Sequence, residues 1–111
     1  MFCAQCQEAA GNTGCTKRGV CGKLATTANL QDVLVYSARG LALALNLLHR
    51  ETAAPAGGNA LTKIATESGR LIYKALFTTV TNVSFDDARI AEMTYDVIRQ
   101  KDIVLGQLQA L

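Results

Sequence analysis

The chain has 111 residues, half of them hydrophobic and 18% charged, with one proline and no tryptophan. That length and composition describe one globular domain, large enough to bury an apolar core without covalent staples and too apolar to stay disordered. A formal charge of +2 with the signs interspersed provides no basic stripe for nucleic acid, and the longest apolar-rich run, "GLALALNLL", is too short to span a bilayer.

All four cysteines, Cys3, Cys6, Cys15 and Cys21, lie in the opening "MFCAQCQEAAGNTGCTKRGVCGK". No charged segment followed by an apolar one stands at the N-terminus, so a cytoplasmic location is expected. Thiols stay reduced there, and clustered cysteines more often bind metal than form disulfides. The spacing is C-x2-C-x8-C-x5-C, and the intervening Gly11 and Gly14 let backbone amides turn inward. Four thiolates suit a tetrahedral zinc or an iron-sulfur cluster, and spacing alone does not separate the two; a redox disulfide or unligated thiols are the remaining alternatives. Lys17, Arg18 and Lys23 outnumber Glu8 in this segment, and the α-amino group adds positive charge beside Cys3. Such surroundings stabilise an anionic thiolate-ligated centre of either kind.

After Gly22 the pattern becomes helical. A first helix is expected from Leu30 to about Arg50, capped by Asn29 with Asp32 in its first turn, and "APAGG" at residues 54–58 ends it. It is apolar on two sides. Leu34, Leu41, Leu45 and Leu48 make one face, while Val33, Tyr36, Gly40, Leu43 and Leu47 make a second, so cover is required from the cysteine loop, a partner or a second copy. A second helix from about Asn59 to Val80 presents Leu61, Ile64, Ala65, Ser68, Leu71, Ile72, Ala75 and Leu76 at three-four spacing. The third begins at a capping Ser84, with Asp86 and Asp87 in its first turn, and its stripe is Ile90, Met93, Val97, Val104, Leu105 and Leu108. The reading is an all-α, up-down-up three-helix bundle in a single domain, with residues 1–28 as a cysteine-rich cluster loop and 29–111 as the bundle.

The N-terminal stretch, followed by "TANLQD", resembles the start of the hybrid cluster proteins, also called prismane proteins or hydroxylamine reductases. The later "ALFTTVTNVSFDDARI" is similar to the corresponding stretch of that family. The likeness covers essentially the whole chain but only the first part of a family member. It implies that Cys3, Cys6, Cys15 and Cys21 ligate one cubane 4Fe-4S cluster, a wider spacing going with a 2Fe-2S cluster in another class. Family members reduce hydroxylamine, and are implicated in nitric oxide reduction, at a second, hybrid cluster whose cysteine, histidine and glutamate ligands come from domains far downstream. This chain has no fifth cysteine, so the resemblance implies an electron-relay module without a catalytic residue of its own.

Other conspicuous residues carry structural readings. His49, the only histidine, sits beside Arg50 at a helix C-terminus, where cations complement the dipole. Met93 is core filler, Arg39 is an interface anchor or snorkels to solvent, and Asp86 and Asp87 are helix-start charges because adjacent positions diverge on a helix. Two functions follow: a one-electron carrier, as a homodimer or docked on a redox partner protein, or a zinc-stapled helical interaction module without redox function.

Overall fold

A computed structural model of the chain describes residues 1–52, 59–80 and 85–111. Three helices dominate it: α1 over Ala25–Thr52, α2 over Asn59–Thr78 and α3 over Asp87–Gln109. Among the described residues the β pairing is limited to one isolated antiparallel bridge, Cys3 with Cys15. At about 1.5 Å per residue, the 28-residue α1 accounts for most of the molecule's 50 Å long axis.

Cross-links between helices fix their directions. Thr27 at the start of α1 donates from Oγ1 to Asp87 Oδ1 at the start of α3, 2.6 Å away, and the stem of Lys101 lies over Gly40 halfway along. These two helices are therefore parallel. Thr78 at the end of α2 meets Met93 near the start of α3, whereas Ser68, earlier in α2, accepts from Gln100 Nε2 at 3.0 Å further along α3. So α2 runs antiparallel to α3, and the bundle is the expected up-down-up one.

The core is one cluster: Leu34, Ala38, Leu41, Ala44 and Leu48 from α1, Ala75 from α2, and Ile90, Met93, Val97 and Val104 from α3. Leu34, Leu41 and Ile90 are fully buried, each such side chain contributing roughly 1.5–3 kcal/mol relative to exposure. The alanines between them let α1 and α3 approach closely, and this pair forms the most extensive interface of the bundle.

Several boundaries and faces differ from the expectation. α1 begins at Ala25, placing Asn29 inside the helix rather than at its cap; Ala28 N–H already bonds Leu24 C=O, and the Thr27–Asp87 link holds this extra turn against α3. α2 ends at Thr78 because Thr79 and Val80 donate instead to Leu76 and Phe77, three residues back. The cap of α3 is Asp86, whose Oδ1 accepts from Arg89 N–H at 3.1 Å. Ser84, named as the cap, and the "APAGG" break lie outside the described residues. Leu76 and Leu105 are exposed. Each sits one position, about 100°, past a buried neighbour, Ala75 and Val104, and the buried line continues through that neighbour.

A cysteine loop as candidate metal centre

Residues before α1 form an irregular loop packed against the end of the bundle where α1 starts and α2 finishes. Its start and its middle are drawn together by the reciprocal bonds Cys3 N–H to Cys15 C=O, 2.9 Å, and Cys15 N–H to Cys3 C=O, 2.8 Å. Between them, Ala10–Asn12 make one tight helical turn. Gly11 has φ +60° and Gly14 φ +152°, backbone conformations that side-chain-bearing residues rarely adopt. At Gly14 a Cβ would also lie 2.3 Å from the Phe2 ring, so glycine is required there for both reasons.

The four cysteines are all free thiols. Cys15 is buried; Cys3, Cys6 and Cys21 are half-buried. Cys15 Sγ accepts the amide of Ala10 at 3.4 Å. Amides of Ala10 and Val20 hold its thiol below the ordinary range, aided by the charge of Lys23 and opposed by burial. Backbone N–H groups aimed at sulfur favour the thiolate, the form that binds metal. Cys6 anchors the preceding turn, its carbonyl accepting from Ala9 N–H. Gly19 is packed so closely that a Cβ there would sit 3.1 Å from Cys21 Sγ and 3.0 Å from Lys23 Cβ. Among the described residues, no three His, Cys, Asp or Glu side chains converge to hold a single metal ion. The structure thus joins Cys3 to Cys15 directly and sets Cys6 and Cys21 on the adjoining turns.

Lys23 is the residue whose role sequence reasoning missed. It is only 1% exposed, and its Nζ donates to Cys3 Sγ at 3.7 Å and to Gln5 Oε1 at 3.4 Å. Gln5 Nε2 in turn donates to Thr79 Oγ1 at 2.8 Å, and Thr79 Oγ1 donates to Leu76 C=O at 2.7 Å. The direction of every bond is forced, since an ammonium only donates and the Gln5 amide must then turn its NH2 to Thr79. Beside this network a cavity of about 190 Å³ opens between Phe2, Gln5 and Lys23 on one side and Gln31, Asp32 and Thr79 on the other. The sequence signal was available only as composition: a lysine two positions after the last cysteine, counted as one loop charge among three.

This donor set fits a thiolate-ligated group. A sulfur held as an acceptor by amides and a buried ammonium turned toward a second sulfur both favour negative charge on the loop's sulfurs.

A helical bundle with a cysteine-bearing N-terminal loop is the architectural class these features define. The chain belongs to the Prismane/CO dehydrogenase family, whose sequence profile matches residues 1–104. It is 46% identical over 102 residues to a hydroxylamine reductase of Halothermothrix orenii, covering 92% of this chain and 17% of that protein. It is also similar to the hydroxylamine reductases of Bacteroides thetaiotaomicron, 43% identical over 102 residues with 92% and 17% covered, and of Caldanaerobacter subterraneus subsp. tengcongensis, 49% identical over 86 residues with 78% and 14% covered. The chain therefore spans about a sixth of the length of the curated relatives it matches.

His49 and Arg50 lie in the last turn of α1, at the helix end where the sequence placed them, and Met93 is buried in the core. Among the described residues, no helix is long and apolar enough to cross a membrane.

Proposed function

We propose that the chain is an iron-sulfur electron carrier resembling the electron-relay module of the hydroxylamine reductases, with Cys3, Cys6, Cys15 and Cys21 as the ligands of one 4Fe-4S cluster. Such a cluster supplies a one-electron couple. The observation that carries the reading is the loop's electrostatic design within a family-matching segment: amides turned onto Cys15 Sγ and the buried Lys23 ammonium on Cys3 Sγ. Lys23, Ala10 and Val20 stabilise negative sulfur, and Cys3 and Cys15 are locked in register by their paired backbone bonds. The bundle serves as the rigid base on which the loop is set.

Anaerobically purified protein is expected to be brown, with a broad absorption near about 400 nm and with iron and acid-labile sulfide in equal amounts. Zinc in place of iron would replace this reading with a zinc-stapled module. Hydroxylamine reduction by the isolated chain is not expected, because one cluster consumes all four cysteines. A second copy of the chain is proposed to cover the outer face of α1, where Val33, Tyr36, Leu43 and Leu47 stand exposed, and a cytoplasmic setting follows from the reduced thiols such a centre needs.

A further inference from the structure

A buried lysine is costly unless an anion or several acceptors meet its charge. The ion pairs among the described residues, Arg89 with Glu92 and Arg99 with Asp96, do not involve Lys23. Its hydrogen-bond partners are one neutral amide oxygen and one cysteine sulfur. The ammonium is also held in place from behind. Gln5 is tied through Thr79 to the C-terminal turn of α2, and Gly19 donates its N–H to Lys23 C=O at 2.8 Å. Gly19 itself is buried where a Cβ would press on Lys23 and Cys21. A long, flexible side chain is thereby confined to one sulfur of the loop, and the bundle itself supplies part of that confinement.

Resting on the iron-sulfur reading above, we propose that Lys23 is a positioning residue that sets the reduction potential of the centre: a fixed positive charge against Cys3 Sγ, braced to α2 through Gln5 and Thr79. Adding one electron makes a thiolate-ligated centre more negative, and an adjacent cation stabilises that more negative state, so Lys23 raises the potential. Only an electron is exchanged; no bond is made or broken and no proton is required. Bracing through Gln5 ties the potential to the junction between loop and bundle, and disturbing that junction moves the ammonium.

The test compares wild type, Lys23→Met, Lys23→Arg and Gln5→Leu, purified anaerobically and titrated with dithionite while absorption and the electron paramagnetic resonance of the reduced centre are followed. Iron, sulfide and helicity are measured on the same samples. Lys23→Met is expected to keep its helices and to lower the reduced-to-oxidised ratio at a fixed potential by about tenfold, about 59 mV for a one-electron couple. Lys23→Arg is expected to restore most of that shift, and Gln5→Leu to move the potential the same way by less. Fully loaded Lys23→Met with the wild-type potential overturns the proposal while leaving the iron-sulfur reading standing; wild type without iron and sulfide ends both. Should Lys23→Met not load, Lys23→Gln and Lys23→Arg decide: arginine loaded and glutamine empty supports the charge, and both empty, or glutamine loaded at the wild-type potential, overturns it.

Discussion

At the scale of single residues, the loop has little apolar burial of its own and is organised by backbone bonds to sulfur and by glycines. On the proposed ligand set, losing one cysteine therefore removes a large part of what would hold the centre. Cys15→Ala is expected to lose most iron and sulfide while far-ultraviolet circular dichroism still reports the three helices. Full loading of both Cys15→Ala and Cys21→Ala would remove these residues from the ligand set. Gly19→Val makes a subtler demand. Its side chain would press on Cys21 Sγ and on the backbone N of Lys23, 3.1 and 3.2 Å from the first added carbon, so iron content is expected to fall although no ligand is changed. The four cysteines are conspicuous in the sequence because they are clustered and chemically distinctive. Lys23 is not, because nothing in a linear sequence distinguishes a solvated lysine from one folded under its own loop, and the chain that reaches it from the bundle runs through Gln5 to Thr79, 74 positions away from Gln5.

At the scale of elements, periodicity made all three helices and most of their buried stripes readable, since a helix that buries one side must repeat its apolar residues at three and four. Boundaries were harder, because the residues that favour caps also occur inside helices. Asn29 is an exposed interior residue of α1, whereas the cap of α3 is Asp86. The pair makes a clean comparison in urea unfolding. Asp86→Ala removes the bond to Arg89 N–H and is expected to cost about 1 kcal/mol. Asn29→Ala replaces a moderate helix former by the best one and is expected to leave stability unchanged or raise it by a few tenths of a kcal/mol. A loss at Asn29 as large as that at Asp86 would contradict the observed start of α1. In the core, Leu41→Ala empties a fully buried site facing α3 and is expected to cost about 2–5 kcal/mol.

For the whole molecule, the two-sided apolar pattern of α1 is one feature that the bundle leaves unsatisfied. One side packs on α2 and α3; on the other, Tyr36 is 76% and Leu43 70% exposed, and the cysteine loop packs at the end of the bundle rather than over them. Beside them Arg39 and Lys101 border a shallow groove of about 480 Å³ that includes Gly40 and Ile98. Apolar area of this kind normally marks an interface, and a two-fold axis lets one self-complementary face serve two chains. An axis that apposed the two grooves would bring Arg39 and Lys101 toward those of the second copy, and such repulsion is long-ranged and screened by salt, while the apolar contact is not weakened by it. Association is therefore expected to be detectable by sedimentation equilibrium at micromolar concentration and to strengthen between about 0.01 M and 0.5 M sodium chloride, the range over which the screening length falls from about 30 Å to a few ångströms. Leu43→Glu is expected to yield a monomer at every salt concentration with the bundle's own stability little changed. A wild-type monomer whose Leu43→Glu variant is equally soluble and equally stable would show that the exposed face of α1 requires no second copy, and association that weakens as salt rises would place attraction between charges, rather than apolar burial, at the interface.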